Sequence, residues 1–208
     1  MSVLPSPRAL SSEATRRAIL AAAEHLLATV GEEGLSIREV CTRAGVTPPT
    51  VYHHFGDKAA LVDRVVNDCF AAFDRAAARG TVPSDPVEGL RAAFDRYLEY
   101  GVAHPTHYRL MFQRSGPRPT PAGIASYDRL RRVVAAVAAA GRLRLPVEAA
   151  TAAYWASMHG VTSLLVAGYL KPTSAAVALV RDALIDRLTE DAPRPPRRRH
   201  RAQGGTTP

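Results

Sequence analysis

Residues 36–54 confine this chain more tightly than any other stretch. Two short runs of helical periodicity, 37–44 and 48–54, are separated only by Gly45, Val46 and Thr47, the spacing of two helices joined by a tight turn. Ser36 and Glu39 form a Ser-x-x-Glu pattern, in which each side chain can satisfy a backbone N–H at the other's end. Leu35 and Val40 stand at the staple positions around that cap. Gly45 stops the first helix. Thr47 caps the second, and Pro48 and Pro49 occupy its first turn, where the missing N–H groups have no intrahelical partner anyway. Ile37, Val40, Cys41, Ala44, Val51 and Phe55 fall inward, and Val46 fills the turn. Arg38, Arg43, Thr47, Thr50, Tyr52, His53 and His54 are left outward, a set able to hydrogen-bond phosphate or base edges.

The remainder reads as helix as well. No run of alternating β-branched residues bounded by turn chemistry occurs, whereas period-3.6 patterns recur throughout. A first helix is expected at 13–30, capped by Ser12 and closed by Gly31 in a left-handed conformation, with Ile19, Ala23, Leu26, Leu27 and Val30 on one face. Asp57 caps a helix running from Lys58 through the 70s. Residues 80–86, Gly-Thr-Val-Pro-Ser-Asp-Pro, form a linker. Further helices are expected at 87–103, 106–112, 122–140, 147–169 and 174–190, with a stiff exposed loop over 114–121. The fold class is therefore all-α. The tail beyond Asp191 is Pro- and Arg-rich and is expected to be disordered.

The net charge of +8 is unevenly placed. The first 80 residues carry nine basic and nine acidic side chains, while residues 192–208 carry five arginines and no acid. Basicity alone thus says little about what the folded part binds, and the tail fits either added non-specific DNA affinity or a solubilising appendage. Two cysteines, Cys41 and Cys69, exclude a disulfide scaffold and a multi-cysteine metal centre. They read as small buried hydrophobes, with redox sensing as the alternative. No apolar run approaches the ~18 residues of a membrane span, and no apolar signal core opens the chain. A soluble, cytoplasmic protein without a membrane partner is expected.

The stretch 15–66 resembles the DNA-binding domain of the TetR family of bacterial transcriptional regulators. The residues that carry the match are Thr15-Arg16-Arg17-Ala18-Ile19-Leu20, Gly34 through Val40, Ala44-Gly45-Val46, and above all Thr50-Val51-Tyr52-His53-His54-Phe55-Gly56-Asp57-Lys58 with the apolar helix after it. His104-Pro105-Thr106-His107-Tyr108-Arg109-Leu110-Met111-Phe112 is similar to the midsection of such regulators. Trp155-Ala-Ser-Met-His159-Gly160 resembles the Trp-His-Gly signature of a ligand-binding half.

The resemblance implies a flexible N-terminus at 1–12, a three-helix helix-turn-helix domain at 13–60, a larger helical ligand-binding and dimerisation domain at 61–190, and the basic tail at 191–208. It implies a homodimer that places residues 48–54 of each subunit in a major groove of a palindromic double-stranded DNA operator. Arg38 would read a base or a phosphate. Thr50, Tyr52, His54 and Lys58 match phosphate-anchoring positions, while Thr47, Pro49 and His53 stand where base contacts occur. Pro48 replaces a polar residue and can touch a thymine methyl but cannot donate. A small hydrophobic or aromatic effector, its identity unknown, would enter a pocket with Tyr97, Tyr108, Met111, Phe112, Trp155 and His159 and release a repressor from DNA, helix 57–78 acting as the hinge. The dimer seam would be Val177, Val180, Leu184 and Leu188.

Plainer readings stand beside these. Tyr52 could be a junction core residue, His54 a backbone partner and Lys58 an ordinary first-turn residue, though its charge opposes the helix dipole there. Trp155 could pack the core, and Gly160 could permit close helix approach. His104 and His107 are three apart, but Pro105 lies between them and no other ligand type joins them, so no metal or cofactor is expected. No Ser-His-Asp set, carboxylate pair or phosphate loop argues for an enzyme. A constitutive DNA-binding protein without effector, and an enzyme using the C-terminal cavity, are the rival functions.

Overall fold

The structure, a computed structural model, describes residues 7–79, 81, 83–112 and 120–190, the first four of them by backbone alone. These residues form α1 (Pro7–Gly34), α2 (Ile37–Ala44), α3 (Pro48–Phe55), α4 (Lys58–Ala77), α5 (Pro86–Ala103), α6 (Pro105–Phe112), α7 (Pro121–Ala139), α8 (Val147–Val166) and α9 (Ala175–Leu188). No strand forms among them. One antiparallel bridge joins Leu143 to Thr189 and ties the α7–α8 turn to the end of α9. No helix among the described residues is long and apolar enough to cross a membrane.

Helix starts follow the chain's own chemistry. Asp57 accepts from the Ala60 N–H at 2.7 Å, Asp85 from Val87 at 2.8 Å, and Thr120 from Gly123 at 3.1 Å, each side chain satisfying a donor that the first turn leaves orphaned. Proline stands in the first turn of α3, α5 and α7.

Three local expectations are corrected. α1 begins at Pro7 rather than at residue 13, so residues 7–12 are not a flexible lead-in. Pro7 suits a first helical position, no breaker follows it, and Ser12 is taken into the helix instead of capping it. The Thr15 hydroxyl bonds back to the Ser11 carbonyl at 2.9 Å within this turn. Gly31, at φ 73° and ψ −179°, does interrupt the helix where a stop was expected. Ser36 is an N-cap by backbone only: its carbonyl accepts from Glu39 and Val40, and its side chain makes no capping bond. The reciprocal Ser36–Glu39 box is therefore not formed, and buried Leu35 and Val40 hold the start of α2 in its place. α8 ends at Val166, because Gly168 turns the chain at φ 80° while the Tyr169 and Leu170 N–H groups bond to the Leu164 carbonyl. Residues 1–6, residues 114–119 of the expected loop and the tail from Asp191 lie outside the described residues.

Two hydrophobic cores organise these helices. The first is built by Ile19, Leu26, Leu35, Val40, Val51 and Leu61 and runs along α4 to Cys69 and Phe70, then on to Tyr100 and Met111. The second joins α5, α7, α8 and α9 through Leu90, Phe94, Val134, Tyr154, Met158 and Ile185. Phe73 and Phe112 pack against both. A boundary at residue 60 therefore cuts through a continuous core: the first half of α4 is part of the helix-turn-helix unit. On the far side, Arg181 grips Asp95 at 2.7 and 2.9 Å, and Arg91 pairs with Asp182, fastening α9 to α5.

Candidate functional site

The α2–turn–α3 unit presents the first candidate surface. Gly45 at φ 68°, ψ 35° makes the turn, in a conformation that only glycine adopts without strain. Val51 is buried beneath α3. On the opposite side Thr47, Pro48, Pro49, Tyr52 and His53 are exposed, and Thr50, His54 and Lys58 are half-buried at the rim. Tyr52 is 49% exposed, which excludes its being a core residue. The Thr47 and Thr50 hydroxyls lie 3.0 Å apart, so Thr47 spends its side chain on Thr50 rather than on a backbone cap. Arg38 and Arg43 are exposed. Neither they nor Lys58 makes an ion pair with a described residue. Three uncompensated cations therefore flank a projecting helix of hydrogen-bonding side chains.

The second candidate is a cavity of about 490 Å³ framed by α4 to α8. Of the side chains expected to line it, Tyr97, Met111, Phe112 and Trp155 do so. Phe70, Phe73 and Tyr127 complete an aromatic wall that the sequence analysis missed. Tyr127 meets Trp155 edge-on at 6.0 Å, and Phe73 meets Tyr97 at 5.4 Å. Trp155 is 37% exposed, so it walls the cavity instead of filling the core. Gly123 lets α7 approach: a Cβ there would stand 3.2 Å from the Phe70 ring.

Tyr108 and His159 sit behind this wall and not on it. The Tyr108 hydroxyl lies 2.8 Å from His159 Nδ1, 3.0 Å from Ser163 Oγ and 3.0 Å from the His159 carbonyl, and Tyr97 Oη is 3.3 Å from the same nitrogen. Burial pushes the His159 pKa down and the Tyr97 and Tyr108 hydroxyls up, so at neutral pH the network is uncharged. Its members satisfy one another and orient the Tyr97 and Trp155 rings, the latter stacked on His159 at 5.5 Å.

A short polar chain links α1, α4, α5 and α6 between the two sites. His107 Nε2 meets Glu24 Oε1 at 3.1 Å, linking α6 to α1. His107 Nδ1 lies 2.8 Å from Tyr100 Oη, whose hydroxyl donates to the Cys69 carbonyl of α4 at 3.5 Å. His107 is thus a junction residue. No group of three or more potential metal-binding side chains gathers around it or elsewhere among the described residues.

The expected seam on α9 is rearranged. Leu188 is 2% exposed and belongs to the second core, and Val177 and Leu184 pack partly against that core. Only Val180 of the four is exposed. Besides Trp155 at the cavity, the large apolar side chains that α8, α9 and the turn between them leave uncovered are Leu164, Tyr169 and Leu179 together with Val180, Leu179 being 69% exposed. A period-3.6 stripe shows that one face is apolar, not which neighbour covers it. Gly160 is open to its surroundings within the chain, with nothing within 4 Å of a Cβ placed there.

Comparison with known proteins bears on both halves. Residues 19–65 match the family model of bacterial regulatory proteins of the tetR family, and residues 90–192 match that of the tetracyclin repressor-like C-terminal domain. The chain belongs to the TetR family. Among curated relatives, the HTH-type transcriptional regulator UidR of Escherichia coli K12 is 30% identical over 96 residues, 46% of this chain and 45% of that protein. The HTH-type transcriptional repressor NicS of Pseudomonas putida is 31% identical over 99 residues, 47% of each chain. The match thus spans about half the length of these relatives. A TetR family transcription regulator from Marinobacter aquaeolei VT8 shares the fold over 88% of this chain and 99% of its own, with a TM-score of 0.67 at 20% identity. As in the family, a helix-turn-helix unit precedes a larger helical domain, and the exposed face of α3 and the α4–α8 cavity lie one in each.

Proposed function

We propose that this TetR-family chain is a ligand-responsive DNA-binding transcriptional regulator, a repressor that leaves a palindromic operator when a small apolar or aromatic effector enters the α4–α8 cavity. The observation that carries the reading is the outward face of α3, where Tyr52, His53 and the three unpaired cations around them have no structural use inside the chain. Pro48 to His54 enter the major groove. Thr47, Pro49 and His53 face base edges, Thr50, Tyr52, His54 and Lys58 hold phosphates, and Arg38 anchors from α2. Pro48 contributes apolar contact alone.

The protein acts as a homodimer, because two reading heads must be spaced to match two half-sites. The uncovered apolar side chains of α8 and α9, Leu164, Leu179 and Val180, supply the self-complementary surface that a two-fold pair needs. The open Gly160 on α8 allows close approach of a partner helix there. The Trp155-x-x-x-His159-Gly160 pattern supports a ligand-binding role for this half, since Trp155 lines the cavity and His159 orients it. α4 is shared between the cores, so an effector that displaces Phe70 or Phe73 shifts the helix carrying the DNA-reading unit, while Glu24–His107 transmits motion of α6 to α1. The coupling is reciprocal: operator DNA weakens effector binding by the factor by which effector weakens operator binding. The cavity is read as a receptor and not an active site, because the His159 imidazole and the Tyr108 and Ser163 hydroxyls hydrogen-bond one another behind its wall and the lining offers no nucleophile–base pair.

The test is titration of the full chain against the DNA upstream of its own gene and against a scrambled duplex, at two salt concentrations. Tight binding of two chains to the native duplex alone supports the reading. Equal and strongly salt-dependent binding to both would show that phosphate contacts dominate and would contradict a sequence-specific regulator at that site.

A further inference from the structure

We infer that the effector is an organic anion, an apolar, largely aromatic body carrying one carboxylate-like group, and that Arg96 is the residue that pairs with it. This rests on the cavity being the effector site. Among the described residues, three charged side chains line the cavity: Asp74, Arg96 and Arg129. Two of them neutralise each other. Asp74, 16% exposed, is ion-paired with Arg129 and also accepts from the Ser126 hydroxyl at 3.0 Å. Arg96 is different. It is half-buried at the cavity wall, next to Tyr97 on α5, and has no hydrogen bond or ion pair with any described residue. The acid beside it in sequence, Asp95, is taken by Arg181 at 2.7 and 2.9 Å. Asp191 is the single acidic residue outside the described ones.

The described lining therefore carries one net positive charge in a largely apolar and aromatic surround. An apolar ligand seated there displaces solvent from the guanidinium, which is unfavourable unless the ligand supplies an acceptor. A carboxylate does so in bidentate fashion, with charge-assisted bonds roughly twice as strong as neutral ones. A cationic ligand would instead add to the repulsion and would have to displace Arg129 from Asp74. The sign of the leftover charge selects an anion, and the aromatic wall formed by Phe73, Tyr97, Phe112 and Trp155 selects a flat apolar body.

The chain's one tryptophan, Trp155, stands on the cavity wall and reports occupancy directly. Its fluorescence, excited at 295 nm, is followed while the full-length protein is titrated with 4-phenylbutyrate, with the isosteric 4-phenylbutyramide, and with 4-phenylbutan-1-ol. The expected result is binding of all three, with the carboxylate tighter by about tenfold or more, the worth of a hydrogen bond to a charged group. Arg96→Gln should abolish that preference while leaving the affinity for the alcohol unchanged, and Arg96→Lys should restore part of it. Equal affinity for the acid and the amide in the native protein would overturn the inference while leaving the cavity a receptor. So would a carboxylate preference that survives Arg96→Gln, with the alcohol affinity showing that this variant is folded. Failure of all three probes to change Trp155 emission would overturn the inference together with the reading of the cavity as an effector site.

Discussion

Around α3 the side chains that matter point outward and touch little, whereas around the cavity they point inward and touch one another. Tyr52, His53 and Arg38 are exposed and uncompensated. Tyr97, Tyr108, His159 and Ser163 are linked by hydrogen bonds of 2.8–3.3 Å and locked against aromatic neighbours. The difference shows how the molecule divides its work. The exposed face of α3 can be altered without disturbing the fold, and under the proposed function its residues answer to DNA alone. The cavity is part of the fold, so under the proposed function its residues answer to both packing and ligand, and ligand entry would act on α4.

Five expected outcomes would sharpen or break that contrast. The largest concerns Tyr154, which is 0% exposed and donates to the Leu90 carbonyl at 2.6 Å. Tyr154→Ala should lower unfolding free energy by about 3–5 kcal/mol, as other large-to-small core changes do, measurable by denaturant titration. A loss under about 1 kcal/mol would show the second core to be far looser than described.

Gly101 comes next. A Cβ there would meet Thr162 Cγ2 and the Tyr108 ring, so Gly101→Ala should cost about 1–3 kcal/mol by overpacking, despite alanine's better helix propensity. A stabilised variant would contradict this close approach of α5 to α8.

The pH dependence is smaller. Burial lowers the His159 pKa below its ordinary 6.5. Above pH 6.5 the imidazole is neutral both folded and unfolded, and stability is unaffected by it. As pH falls below 6.5 the unfolded chain takes up this proton first, so stability declines until the folded pKa is reached and then levels off. His159→Gln should flatten that part of a Tm-against-pH profile. An unchanged slope would mean that folding leaves the His159 imidazole with the proton affinity it has in the unfolded chain.

The smallest effect is expected at the reading head. Tyr52→Ala should change stability by no more than about 0.5 kcal/mol, as exposed substitutions do, and a larger loss in the same denaturant titration would return Tyr52 to a structural role. Cysteine reactivity checks the shared core independently. Burial, with Glu24 and Asp68 nearby, pushes the Cys69 thiol up to about 12, so iodoacetamide at pH 8 should leave it unmodified until the chain is unfolded.

The helix-turn-helix was legible in the sequence because its determinants are local. Gly45 needs only its own backbone freedom, and Pro48, Pro49 and Asp57 act within one turn. The Ser36–Glu39 box is not formed for the same reason: a local pattern shows what a side chain can do, not what it does, and at Thr47, the expected N-cap, the hydroxyl goes to Thr50 instead of the backbone. The cavity was legible only in part. Trp155, Tyr97, Met111 and Phe112 drew attention as aromatic or polarisable groups near a signature, but Phe70, Phe73 and Tyr127 lie on helices whose packing partners are distant in sequence. The placing of Leu188 in the core and of Leu179 outside it was likewise decided by α5 and α8, which helix phase does not reveal. Arg96 carries no sequence signal at all. It stands out only once Asp74 is seen with Arg129 and Asp95 with Arg181.

The most direct test of the α3 face compares the native protein with a Tyr52→Ala/His53→Ala double variant. Each is titrated by fluorescence anisotropy against labelled DNA from upstream of the gene, at one moderate salt concentration. Both should show the same thermal midpoint. The native chain should saturate at two chains per duplex, and the double variant should bind at least about tenfold more weakly, each lost groove contact weakening the complex. Equal affinity of the two proteins for that duplex would contradict the assignment of the exposed face of α3 as the surface that reads DNA.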